Sequence, residues 1–215
     1  MIQPITKTPD YRRAEFLSSA REMHQCPPDQ GWEVAFAGRS NAGKSSAINA
    51  LAGNRKLARA SKTPGRTQLI NFFSLSGNQR LVDLPGYGFA KAPEAARRAW
   101  AQQMETYLEQ RRSLRGLVLM MDCRRPPGQY DKVMLNWAGA ALMPVRVLLT
   151  KADKLSRGAA GNTLLTMRTQ LAARGSPLGV QLFSVVSGTG LQELQDVLND
   201  WLTDTGAAAE DARRG

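Results

Sequence analysis

The chain has 215 residues and a formal net charge of +11, with 29 Lys or Arg against 18 Asp or Glu. That length suits one domain with its own core, and two cysteines, Cys26 and Cys123, without partners at ligand spacing, exclude a disulfide framework and a zinc module. The amino terminus lacks the apolar stretch of a secretion signal and the longest apolar run, Leu117 to Met121, is too short to span a bilayer, so a cytoplasmic protein without integral membrane contact is expected.

In chain order, residues 10–23 set Ala14, Phe16, Leu17, Ala20 and Met23 on one helical side. They predict an amphipathic helix docked on the domain, within an N-terminal extension over 1–30. The main domain, 31–204, opens with an apolar strand at 33–37 and a helix at 44–51 around a glycine-containing turn. Strands at 69–75 and 80–83 flank Ser76-Gly77-Asn78 and read as a hairpin. A helix follows Pro93 and runs to about Arg112, with Trp100, Met104, Tyr107 and Leu108 on its buried face. Unbroken apolar strands at 117–122, 145–150 and 180–185 alternate with helices near 130–142, 163–174 and 191–202. The alternation predicts a doubly wound α/β fold: a central, mainly parallel six-stranded sheet with one antiparallel strand and helices on both faces. The tail 205–215, without large apolar residues, is expected to be disordered.

No acidic residue occurs between Val34 and Val82, whereas Arg39, Lys44, Arg55, Lys56, Arg59, Lys62, Arg66 and Arg80 do. One nucleotide cannot occupy that many cations, so RNA is the expected second anion.

Residues 38–45, Gly38-Arg39-Ser40-Asn41-Ala42-Gly43-Lys44-Ser45, have P-loop spacing between a strand and a helix. Backbone N–H groups there cradle phosphates, Lys44 reaches the terminal ones, and Ser45 offers its hydroxyl to magnesium. Asp83-Leu84-Pro85-Gly86 ends a strand, where the carboxylate holds magnesium through water and the glycine N–H meets the γ-phosphate. Thr150-Lys151-Ala152-Asp153 ends another, and a carboxylate there accepts both N1–H and N2–H of guanine, donors that adenine lacks. Between the first two lies a turn-rich loop, residues 61–68, in which Thr63 or Thr67 completes the magnesium shell; spacing does not choose between them.

With these motifs the sequence resembles the EngB family of ribosome-assembly GTPases, in the Era-like branch of P-loop GTPases. The resemblance implies a G domain that binds GTP or GDP with Mg2+, and metal ligands Ser45 and Thr67. It implies nucleotide contacts from 38–45, from Gly65, Arg66, Thr67, Gln68 and Leu69, from 83–86 and 150–153, and from a last base-contacting loop of Phe183, Ser184 and Val185. In that loop the chain reads Phe183-Ser184-Val185-Val186 where the family usually has a second serine followed by basic residues. Lys44, Thr67 and Gly86 are the expected catalytic group. The implied role is a monomeric switch on the large ribosomal subunit precursor, its rRNA and ribosomal proteins, needed for normal cell division.

Tyr87 stands where some GTPases carry a water-orienting glutamine, so slow turnover is expected. Asn41 resembles the asparagine by which related GTPases hold K+. Two alternatives stay in view: a P-loop ATPase or kinase, and an RNA-binding module whose nucleotide is structural.

Overall fold

The structure, a computed structural model, describes residues 8–58, 69–87, 94–173 and 178–203. Gly65, Arg66, Thr67 and Gln68, together with Thr63 and the tail 205–215, lie outside the described residues.

The elements are β1 (Glu15–Ala20), β2 (Trp32–Gly38), α1 (Lys44–Ala52), β3 (Ile70–Ser74), β4 (Gln79–Asp83), α2 (Glu94–Gln110), β5 (Leu114–Asp122), α3 (Gln129–Ala140), β6 (Val145–Thr150), α4 (Arg157–Ala172), β7 (Leu178–Leu182) and α5 (Leu191–Leu202). They build one seven-stranded sheet in the order β1-β3-β4-β2-β5-β6-β7. β3 runs antiparallel to both neighbours, while β4, β2, β5, β6 and β7 are parallel. The expected single antiparallel strand and hairpin are therefore present.

The expectation of six strands and an amphipathic helix over 10–23 is corrected. That segment forms a three-residue 3-10 turn, Tyr11–Arg13, and then the edge strand β1. The outer edge of β3 offers unpaired backbone groups, and β1 satisfies them from Glu15 opposite Ser74 to Ala20 opposite Ile70. Phe16 and Leu17, which the helical reading buried, are 56% and 47% exposed, whereas Tyr11, Ala14 and Ala20 are buried.

Two apolar layers cover the sheet, as alternation along each strand requires. One face packs Trp100, Met104, Tyr107 and Leu108 of α2, Met134 and Leu135 of α3, and Met167 and Leu171 of α4 against Leu117, Leu119, Val145 and Val147. The other packs Ile48 and Leu51 of α1 and Leu194, Leu198 and Leu202 of α5 against Val34, Phe36, Val118 and Leu148. The leucines of α5 recur every four residues and so share one stripe.

At the sheet end where β2 begins, a buried polar cluster ties three elements. Glu33, 0% exposed, accepts from Arg80 Nε (2.6 Å), Arg111 Nη2 (2.6 Å), Arg111 Nε (2.9 Å) and the Tyr107 hydroxyl (2.9 Å). Both of its oxygens are used, so the buried charge is fully partnered.

β2 pairs with β4 on one side and β5 on the other, so the order reverses at the carboxyl end of β2. A crevice at such a switch point is where doubly wound sheets take ligands. Gly38, Asp83, Asp122 and Thr150 close β2, β4, β5 and β6 there, and Phe183 follows β7.

Candidate functional site

The P-loop folds as its composition requires. Gly43, at φ +103°, is the N-cap of α1, a backbone conformation that a residue with a Cβ rarely adopts. α1 starts at Lys44, and the N–H groups of a first helical turn have no partner inside the helix. They point out of its positive end, toward an anion. Asn41 takes a left-handed φ of +64°.

The DxxG segment is zipped onto this loop. Leu84 N–H donates to Phe36 O (3.0 Å), Tyr87 N–H to Gly38 O (3.3 Å), and Ser40 N–H to Tyr87 O (2.9 Å). Gly86 approaches so closely that a Cβ would lie 3.2 Å from Ser40 N and 3.3 Å from Lys44 Nζ. Asp83 thus stands beside the start of α1, with Lys44 Nζ at 3.8 Å and the Ser45 hydroxyl donating across 3.3 Å. Burial pushes the Asp83 carboxyl above the usual range, against the pull of Lys44 and Ser45.

Those two long contacts leave most of Asp83's acceptor capacity unspent. A carboxylate and a hydroxyl, both hard oxygen donors, fit Mg2+, which binds through one or two carboxylates plus substrate phosphates. Among the described residues no group of three His, Cys, Asp or Glu gathers as a metal cage.

The Asp153 end of this edge is assembled from two loops. Asp153 accepts from the Ser184 hydroxyl (2.6 Å) and lies 3.3 Å from Lys154 Nζ; the Ser184 bond, then Lys154, keeps its carboxyl below the ordinary range. Ser184, buried, also accepts from the N–H groups of Val186 and Ser187, so its hydroxyl is locked toward Asp153. Ala152 N–H donates to Phe183 O and joins the two loops. Lys151 has a φ of +60°, a left-handed conformation that costs a non-glycine residue about 1–3 kcal/mol and persists only when its surroundings enforce it.

Each expected residue inside the described range lies at this edge of the sheet, in one of two ways. Lys44, Ser45, Asp83, Lys151 and Asp153 present side-chain chemistry. Ala42, Leu84 and Phe183 have buried side chains, so only their backbones could meet a ligand, and Thr150 turns inward, its hydroxyl bonding Ala42 O (2.9 Å) and Met121 O (3.1 Å). Thr150 therefore braces the P-loop against the base loops. Val185 is exposed at the rim, and Leu69 is half-buried just ahead of β3.

Two residues escaped sequence reasoning. Asp122 accepts from Lys151 Nζ (3.0 Å) and, through both oxygens, from Arg124 (2.9 and 2.7 Å), and Arg124 first, then Lys151, hold its carboxyl far below the ordinary range. It fixes Lys151 beside a cleft of about 190 Å³ that Arg39, Asn41, Arg125 and Asp131 also line. Asp131 accepts from the Tyr87 hydroxyl. The contacts that tie them to the site are to Lys151 and Tyr87, 29 and 44 residues away, so the sequence around each does not reveal its role.

Residues 33–151 match a family described as 50S ribosome-binding GTPases. A probable GTP-binding protein EngB of Nitrosococcus oceani is 55% identical over 192 residues, 89% of this chain and 96% of that protein. One of Coxiella burnetii is 51% identical over 195 residues, 91% and 95% of the two chains. The crystal structure of a probable GTP-binding protein EngB aligns with a TM-score of 0.64 at 22% identity, covering 79% of this chain and 98% of that one. Era in complex with MgGDPNP and nucleotides of 16S ribosomal RNA aligns with a TM-score of 0.59 at 20% identity, covering 84% and 59%.

Proposed function

This chain belongs to the EngB family of GTP-binding proteins, and we propose that it is a magnesium-dependent GTPase switch with slow turnover, acting in assembly of the large ribosomal subunit. The observation that carries the reading is the meeting of Lys44, Ser45, Asp83 and Gly86 at the same edge of the sheet where Asp153 follows β6.

The chain's residues divide the work by position. The α1 amino terminus and Lys44 hold the phosphates and offset the charge that grows on the γ-phosphate as water attacks and the GDP oxygen leaves. Ser45 and Thr67 would hold Mg2+, with Asp83 reaching it through water, and the ion would supply neutralisation of the phosphate charge. Gly86 N–H marks the γ-phosphate, and Asp153 reads N1–H and N2–H of guanine. The Tyr87 hydroxyl donates to Asp131 and not to an attacking water, and position 87 carries no amide to orient one. Intrinsic turnover is then roughly 10⁻⁴ to 10⁻³ per second, the scale of an unassisted small GTPase.

The ribosomal role rests on the family description and the +11 charge. On this reading the protein works as a cytoplasmic monomer, and its depletion slows subunit assembly and impairs division. Binding of large-subunit precursors to the GTP-analogue and GDP forms decides it: a switch binds better in the analogue form, and equal binding leaves only a nucleotide-stabilised RNA-binding module. K+ held near the left-handed Asn41 is part of the proposal, checked by faster hydrolysis in KCl than in NaCl.

A further inference from the structure

We infer that Tyr87 and Asp131 form a positioning pair that sets the Gly86 amide, and with it the preference of the cleft for a nucleoside triphosphate over a diphosphate. The inference rests on the reading of Gly86 as the γ-phosphate contact.

Gly86 is anchored on both sides. Ahead of it, Pro85 O accepts from Trp100 Nε1–H (3.1 Å), tying the loop to α2. Behind it, Tyr87 is held by the two backbone bonds to Gly38 and Ser40, by its ring 5.5 Å from Trp100 and 5.8 Å from Tyr130, and by its hydroxyl on Asp131 Oδ1 (2.5 Å). Asp131 is itself immobilised. Its other oxygen accepts Gly128 N–H (2.7 Å) at the start of α3, and its side chain is buried.

A peptide fixed at both flanks has little freedom to turn, so the Gly86 N–H direction is inherited from α2 and α3. Core packing alone explains the three rings but not a buried phenol donating to a buried carboxylate, a pair that an apolar contact would replace without desolvation. What the pair supplies is direction. It pins the outer end of the Tyr87 ring and so steadies the carboxyl-side flank of Gly86, while Trp100 holds the Pro85–Gly86 peptide that carries the N–H. A diphosphate does not extend to Gly86, so loss of this direction weakens triphosphate binding alone, whereas a merely structural loss weakens both nucleotides alike.

The experiment is calorimetric titration of the full chain, with Mg2+, by a non-hydrolysable GTP analogue and by GDP. Tyr87→Phe keeps the ring and its packing. It is expected to weaken the analogue about fivefold, less than the full worth of one hydrogen bond to a charged group because the bond acts on Gly86 at one remove, and to leave GDP within about twofold. Asp131→Ala is expected to act in the same direction, and the double variant to be no worse than Asp131→Ala. If Asp131→Ala does not fold, Tyr87→Phe decides alone. Equal weakening of both nucleotides, or an unchanged ratio in Tyr87→Phe, overturns the inference. Gly86→Ala separates it from its premise, because a Cβ there meets Ser40 and Lys44. If that variant keeps the wild-type ratio, the reading of Gly86 falls and the pair falls with it.

Discussion

Two buried carboxylates at opposite ends of the sheet have opposite surroundings. Glu33, where β2 begins, has four charged or phenolic donors on its two oxygens at 2.6 to 2.9 Å. Asp83, where β4 ends, has a hydroxyl at 3.3 Å and an ammonium at 3.8 Å. Both sit among apolar neighbours, so burial alone does not mark a functional site. The degree of satisfaction does: a fully used carboxylate joins elements, and an under-used one awaits a ligand.

Four substitutions sharpen or break that contrast. The largest effect is expected from Glu33→Ala, which leaves Arg80 and Arg111 buried without their acceptor. Urea unfolding should show a loss of about 3–5 kcal/mol, the cost of breaking a buried ion pair, and a loss under about 1 kcal/mol would mean that the cluster is not what joins these elements. Lys44→Ala should do the reverse, leaving the unfolding midpoint nearly unchanged while GDP affinity drops by about 1.5–3 kcal/mol, roughly 10- to 150-fold. Asp153→Asn should weaken GDP by about tenfold and strengthen xanthosine diphosphate, since an amide N–H can donate to the xanthine O2 that a carboxylate repels. Competition against a fluorescent nucleotide reads both ratios, and unchanged selectivity would remove Asp153 from the base site.

The smallest effect concerns Asp83 without ligand. Burial raises its pKa in the folded state, so the folded protein binds that proton more tightly than the unfolded chain does. The cost of the ionised form is absent below the unfolded value and grows as pH rises from the usual carboxylate range through the raised one. Asp83→Asn should therefore be the more stable protein at neutral pH, its advantage shrinking as pH falls through that window. A pH series of thermal unfolding temperatures checks this, and a constant difference would contradict it. Asp122, held low by Arg124 and Lys151, works in the opposite sense, contributing stability above its unfolded value that is lost as pH falls through the folded one.

What the sequence revealed follows from distance along the chain. The P-loop, the DxxG segment and the TKAD segment each pack their chemistry into a few consecutive residues at the end of an apolar run, so strand and motif were visible together. β6 and α5 fall where the apolar pattern put them, at Val145–Thr150 and Leu191–Leu202. The amino-terminal strand was illegible because Ala14, Phe16, Leu17 and Ala20 fit a helical face. What decided the matter was the open edge of β3, a tertiary fact that overrides local preference. Glu33 read as the first residue of a strand because Arg80, Tyr107 and Arg111 lie 47 to 78 residues away. Asp131 stayed hidden for the same reason, as did the tie of Asp122 to Lys151. The sequence discloses motifs, and the fold discloses the second ring of side chains that aims them.

The most direct test is a paired calorimetric titration of the wild-type chain and Asp83→Asn with a non-hydrolysable GTP analogue, each with and without Mg2+. An under-used Asp83 that holds the ion predicts that Mg2+ tightens binding in the wild-type protein and does so far less in the variant. Equal tightening in both would contradict the assignment of Asp83, and with it the contrast between the two ends of the sheet.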